Sequence, residues 1–271
     1  MLAHCNSLYT LDEAAWIRVH GPPTVMHVHE MVGTTVKHRL ARALLHLAGD
    51  VVVGVSKAGT RALGHPARPV RLVNEGVDAG SSAPDRSGRS KPVRVGTIGV
   101  IANRKGTDIF IDAARRVGAE APDVKFELVG AATDPLEAEW AQSVLAQAKE
   151  AGIEYSESAN VPETLQAWDL FVLPSRQDPF PIVILEAMAA RLPVIGTRVD
   201  GIEEQVTPAT GVLVPPNEPA ALADAILELS RDPELRLQLG SEGRRRAVEC
   251  FSLERQASGI SDAYLAALGE L

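Results

Sequence analysis

Short, wholly apolar runs alternate with amphipathic segments along most of this chain. Thr24–Val28, after Pro22-Pro23, reads as a short strand. Thr35–Leu47 has helical apolar spacing. Asp50–Val55 reads as a buried strand leading into a helix that opens at Ser56, and Val70–Val73 as a further short strand. The alternation restarts at Val93–Gly99 (strand) and Thr107–Val117 (helix). It continues with Val124–Gly130 (strand) and Pro135–Ala151, a helix ending at Gly152. A short helix is expected over Pro162–Ala167, a strand over Asp169–Pro174 and a helix over Pro181–Arg191. Pro193–Thr197 and Gly211–Pro215 are the last strands, followed by helices opening at Glu218, Pro233 and Leu253. Strands without polar alternation suit a parallel sheet covered on both faces. The expected fold class is therefore α/β, with a complete doubly wound, Rossmann-like domain in the C-terminal part.

Between the two series lies Ala79–Lys91, AGSSAPDRSGRSK, small, polar and poor in apolar residues. It reads as a linker. The expected organisation is a partial N-terminal domain over 1–78, the linker over 79–91 and a C-terminal domain over 92–250. The last helix, 251–271, is expected to pack back toward the N-terminal part.

Composition narrows the field. The net charge of −8 and an aromatic content of 4% argue against nucleic-acid binding, which calls for a basic footprint or stacking platforms. No apolar run approaches the roughly 18 residues of a membrane span, and MLAHCNSLYT is not a signal peptide. Only Cys5 and Cys250 are present, which fits a reducing, cytoplasmic setting and no disulfide framework.

Ligands of open α/β sheets bind beyond the carboxyl ends of the strands, and two such loops carry dense polar chemistry. GVIANRKG, Gly99–Gly106, places Arg104 and Lys105 just before a helix. Cations are disfavoured there by the helix dipole unless an anion lies between them and the helix start. Two solvated loop charges account for the pair equally well. In SRQDPFPIVILEAMAARLPVIG, Ser175–Gly196, Asp178 stands before Pro179 and is a candidate cap for the following helix. Glu186 lies among apolar neighbours, where a carboxylate needs a partner. Spacing alone leaves open a capping Asp and a Glu paired with a nearby Arg. His27 and His29, two apart, share one face of a strand. No third ligand of recognisable spacing follows, so no metal is expected.

The segment DPFPIVILEAMAARLPVIGTRVDGIEEQV, with TGVLVPPNEPAALADAI after it, resembles the family-four retaining glycosyltransferases of GT-B fold. The family signature of two acids with seven residues between them, then Ala-Met-Ala and Pro-Val, reads here Asp178, Glu186, Ala187-Met188-Ala189 and Pro193-Val194. Gly99 with Lys105-Gly106, Leu128–Gly130, Asp169–Ser175, Gly201, Glu204 and Gly211–Val214 follow in order. VVVGVSKAG (Val51–Gly59) and VNEGVD (Val73–Asp78) resemble the end of the family's first domain.

The resemblance implies a nucleotide-activated sugar donor, transfer with retention at the anomeric carbon, no cofactor and no bound metal. It implies that Lys105 contacts the diphosphate, that Glu186 holds the ribose hydroxyls and that Asp178 holds sugar hydroxyls. The backbone around Phe180, Ile182 and Val183 faces phosphate or sugar, and His29 meets the transferring sugar. The acceptor is left as a sugar, a lipid-linked group or a small molecule, with peripheral membrane contact as one partner expectation. Departures are plain: Val100 stands where the family carries Arg after Gly99, leaving Arg104 as the nearest loop cation, Asp178 replaces Glu, and Pro181 replaces Gly. Met1 also falls almost at a mid-domain segment of the family. The chain is therefore expected to lack the first half of its N-terminal domain and to self-associate through an exposed sheet edge. A nucleotide-sugar-binding module without catalysis and a GT-B sugar-nucleotide epimerase are the alternative readings.

Overall fold

Residues 1–32, 35–63, 69–80, 85–86 and 92–270 are described by a computed structural model. They form two units: residues 1–76 with 251–271, and residues 77–250. In the smaller unit, β1 (Ala3–Asn6), α1 (Leu11–His20), β2 (Thr24–Val28), α2 (Val36–Ala48), β3 (Val51–Gly54), α3 (Lys57–Ala62) and β4 (Val70–Leu72) follow in order. Its sheet is parallel, ordered β1-β2-β3-β4. The central strands β2 and β3 are buried throughout, whereas the edge strands β1 and β4 are largely open, as their polar residues require.

The larger unit runs β5 (Arg94–Ile98), α4 (Thr107–Glu120), β6 (Lys125–Val129), α5 (Ala138–Glu150), β7 (Glu154–Ser156) and α6 (Val161–Ala167). It continues through β8 (Leu170–Leu173), α7 (Ile182–Ala189), β9 (Val194–Thr197), α8 (Ile202–Gln205), β10 (Gly211–Val214), α9 (Pro219–Arg231) and α10 (Pro233–Cys250). The closing helix α11 (Leu253–Leu268) belongs to the smaller unit, where Ala263 packs among Val25, Val51, Val53 and Val73. The opposite face of that sheet buries Met26, Val28 and Val52 with Ala14 of α1 and Leu45 of α2.

The larger sheet is parallel in the order β10-β9-β8-β5-β6-β7. From β5 the chain steps outward through β6 to β7, then returns to place β8 on the other flank of β5. The direction of winding reverses between β5 and β8, which makes the carboxyl ends of these two strands the switch point, the place where doubly wound sheets bind ligands. Strand β5 is fixed in depth by Gly96, where a Cβ would come 2.1 Å from the Trp168 ring. That fully buried indole donates from Nε1 to Glu127 Oε2 at 2.8 Å. Helices α4 and α9 pack on each other, and α7 packs on α10, β8 and β9.

Strands β1 and β7 and helix α1 were not among the expected elements. β7 is exposed throughout, and its polar EYS shows no apolar run. Of the expected linker, 81–84 and 87–91 lie outside the described residues. Its described remainder is not a free tether. Arg86 is buried and donates to the carbonyls of Leu165 (2.8 Å), Trp168 (2.5 Å) and Ala190 (2.8 Å), while Arg244 donates to the carbonyls of Ala79 and Gly80. A guanidinium that satisfies three buried carbonyls anchors its backbone. The low apolar content concealed this.

Candidate functional site

The loops after β5 and β8 are locked together beyond the carboxyl ends of their strands. Gly106 has φ +69°, and a Cβ there would sit 2.1 Å from the Pro174 carbonyl oxygen, so only glycine permits this approach. Arg176 completes the connection. It donates to both carboxylate oxygens of Asp108 (2.8 and 2.6 Å), to the Asn103 carbonyl (2.6 Å) and to Asn217 Oδ1 (2.6 Å). Its own backbone N–H donates to the Arg104 carbonyl at 2.8 Å. The Asp108 carboxylate holds the Arg176 guanidinium above its ordinary pKa.

This docking brings Lys105 to Asp178. Lys105 Nζ donates to Asp178 Oδ2 at 2.6 Å, and Ser175 Oγ donates to the same oxygen at 3.2 Å. Asp178 is almost wholly buried and Lys105 mostly so. The alkyl stem of Lys105 lies over Gly99, 3.9 Å from where a Cβ would be. The Asp178 backbone N–H donates to Asp200 Oδ2 at 3.0 Å, and burial raises the Asp200 carboxyl above its usual range. The expected capping role of Asp178 is corrected here. Its carboxylate turns to Lys105 and Ser175, and the N-cap of α7 is Pro181, which offers no side-chain cap. The first amides of α7, at Ile182 and Val183, therefore lie at a helix N-terminus, with its partial positive charge, that the N-cap residue does not cap.

The remaining candidates take distinct places. Phe180 is buried, Ile182 exposed and Val183 intermediate, so only backbone at this turn is offered by Phe180. Arg104 is exposed, and its side chain has no hydrogen bond or ion pair among the described residues. Glu186, on α7, lines a cavity of about 300 Å³ together with Val77, Val161, Leu165 and Gln166. Burial raises its carboxyl above the ordinary value, and no cation pairs with it among the described residues. Among the described residues, no Arg neutralises Glu186.

His29 belongs to the smaller unit. Its Nδ1 lies 2.6 Å from Glu75 Oε1, and its Nε2 lies 2.6 Å from Asn6 Oδ1. Glu75 Oε2 accepts from Gln256 Nε2 at 2.6 Å. Burial works to raise the Glu75 carboxyl, but its bonds to His29 and Gln256 together with the nearby imidazoles prevail and hold it below the ordinary value. Arg176, Asp108, Glu75 and Asn6 escaped the reading of the sequence. Arg176 had one legible signal, a cation directly after the strand-end Ser175. The other three had none, because their partners lie far away along the chain.

Lys105 on Asp178 and the start of α7 stand beyond the carboxyl ends of the strands, where doubly wound α/β sheets bind ligands, and Glu186 faces a cavity of its own with no cationic partner among the described residues. Residues 83–246 match the family of glycosyl transferases group 1, and the chain belongs to that family. It is 31% identical over 177 residues to the lipopolysaccharide core biosynthesis mannosyltransferase LpsB of Rhizobium meliloti, covering 63% of this chain and 50% of that protein. It is 33% identical over 221 residues to the alpha-maltose-1-phosphate synthase of Mycolicibacterium smegmatis, covering 72% and 56%. Across these matches the chain spans about half the length of its curated relatives. The fold matches that of Anabaena Alr3699/HepE, crystallised in complex with UDP and glucose, with a TM-score of 0.88 at 23% identity over 100% of this chain and 78% of that one. The two parallel-sheet units are those of a GT-B, Rossmann-like pair. Among the described residues no helix is long and apolar enough to cross a membrane.

Proposed function

We propose that this chain binds a nucleoside-diphosphate sugar at the β5/β8 crevice and serves a retaining glycosyl transfer to a sugar, lipid-linked or small-molecule acceptor. The observation that carries this reading is Glu186: a burial-perturbed carboxylate with no cationic partner among the described residues, facing a cavity of about 300 Å³. A vicinal diol such as ribose supplies two donors to one carboxylate and would satisfy it.

The other roles follow from position. Lys105, the amides of Ile182 and Val183, and the exposed Arg104 offer positive charge where a leaving diphosphate accumulates negative charge. Asp178 is already oriented by Lys105 and Ser175, and is assigned to hydroxyls of the donor sugar. His29, held by Glu75 and Asn6, is assigned to the transferring sugar. Retention is assigned to attack from the face of the leaving group, with a phosphate oxygen taking the acceptor proton. This requires neither a protein nucleophile nor a metal.

Calorimetric titration with UDP, GDP and their sugars tests the reading. Binding of one nucleotide series is expected, weakened at least tenfold by Lys105→Ala and by Glu186→Ala. Absence of binding to every member, with both variants indistinguishable from the parent, overturns it.

A further inference from the structure

At the amino ends of β8 and β9, the end of the larger sheet away from Lys105 and Asp178, lies a small cavity of about 40 Å³. Asp169, Pro193, Pro233 and three arginines, Arg86, Arg191 and Arg236, line it. It has room for about three water-sized groups, enough for a compact oxyanion and too little for a sugar or a base. Arg191 follows the last turn of α7. Its N–H donates to the Met188 carbonyl at 3.0 Å, and the Leu192 N–H donates to the Ala187 carbonyl at 2.9 Å. This closure needs a left-handed residue, and Arg191 supplies it at φ +57°. Glycine is the usual occupant, because a Cβ is strained there. Gly240 of α10 packs on this backbone, where a Cβ would come 2.2 Å from the Arg191 carbonyl oxygen. The strain is thus held in place by packing. The exposed Arg191 guanidinium has no hydrogen bond or ion pair among the described residues.

Arg236, on α10, is 9% exposed. Its Nη1 donates to the carbonyls of Leu229 (2.6 Å) and Ser230 (3.0 Å), whereas its Nε and Nη2 meet no acceptor among the described residues. Burial lowers its pKa from the ordinary value against the pull of Asp169 and Asp232. Each of those carboxylates has a backbone partner: Asp169 Oδ2 accepts from the Arg94 N–H and Asp232 Oδ1 from the Leu235 N–H, both at 2.9 Å. Asp169 is the one carboxylate that lines the cavity beside the three guanidiniums. We propose that Arg86, Arg191 and Arg236 form a binding site for a phosphate-type oxyanion, either free phosphate or the phosphoryl end of a small ester. Guanidinium N–H groups match such oxygens in charge and geometry, and a buried cation calls for a paired anion. The ligand accounts for an arginine where glycine would fold with less strain. Occupancy joins the end of α7 to α10, at the opposite end of the sheet from Lys105.

The test titrates the full chain with inorganic phosphate by calorimetry, at constant ionic strength in chloride. Saturable binding is expected, with a higher melting temperature in phosphate than in chloride. Glycerol 3-phosphate distinguishes the two sources: tighter binding than phosphate assigns the site to an ester, weaker binding to the free ion. Arg191→Gly, which relieves the left-handed strain, is expected to melt no lower than the parent in chloride and to bind phosphate at least tenfold more weakly. Arg191→Asn, also at ease in this conformation, carries the test if Arg191→Gly misfolds. Lys105→Ala, at the other end of the sheet, is expected to keep the phosphate response. No binding by the parent, undiminished binding in a folded Arg191 variant, or loss of the response in Lys105→Ala instead, overturns the proposal. Undiminished binding would leave Arg191 as a cation at the carboxyl end of α7 and nothing more.

Discussion

Replacing Glu186 by Gln separates the cost of this side chain to the fold from its use to a ligand. The carboxylate lines its cavity half-buried, and no cation pairs with it among the described residues. Burial holds its folded-state pKa above the ordinary 4.5. The folded chain therefore keeps a proton at pH values where the unfolded chain has released it. The stability linked to that proton is complete below 4.5 and is lost as pH rises through the raised folded value. At neutral pH the ionised Glu186 is a net burden on the fold, which an amide of the same shape removes. The gain in melting temperature is modest, because a half-exposed carboxylate is well screened. It is expected at pH 7.5 and to vanish below the ordinary carboxylate range.

Ligand binding moves the opposite way. Hydrogen bonds to a charged acceptor contribute about 1.5–3 kcal/mol. An amide retains one acceptor oxygen but loses the charge, so UDP or GDP affinity should fall about ten- to a hundredfold. The affinity of the parent should also decline on acidification as Glu186 takes up its proton, starting above the usual carboxylate range, while the Gln variant shows a flatter profile. Calorimetry and thermal melts across pH read all three effects. A variant that melts lower than the parent and binds nucleotide equally well would show Glu186 to be structural, and the reasoning would fail.

Further outcomes follow from the loop docking. Gly106→Ala must relieve both a φ of +69° and a 2.1 Å clash with the Pro174 carbonyl, so a loss of about 3 kcal/mol or more is expected in urea melts. Gly118→Ala, in the interior of α4 with nothing within 4 Å of the new methyl, should instead gain about 0.5–1 kcal/mol. Arg176→Ala should cost about 1–3 kcal/mol by freeing Asp108 and the Asn103 carbonyl. Arg176→Lys should recover little of that, because an ammonium cannot reproduce the two-pronged contact. A Lys substitution as stable as the parent in denaturant titration would remove Arg176 from the loop connection.

The α/β class, most of the larger unit's strands and helices and the position of the loop cations were legible because they rest on local properties. Uniform apolar runs such as LFVL at Leu170–Leu173 need cover on both faces, and the chain's periodicity switches wherever a strand gives way to a helix. Conformation-determining glycines also sat in readable motifs, as Gly106 does beside Lys105. Polar edge strands such as β7 escaped, because a strand without a buried face carries no apolar signature. Pairings between distant segments were not legible at all. Nothing near Asp178 announces that it meets Lys105 instead of capping α7, nothing around Arg86 reveals three buried carbonyls, and nothing near His29 points to Glu75. The sequence by itself determined which segments become strands and helices, since that choice follows from neighbours a few residues apart. Only the tertiary structure decided which charges meet and which, like Glu186, meet no cation among the described residues, because electrostatic partnership depends on distances that chain separation does not encode.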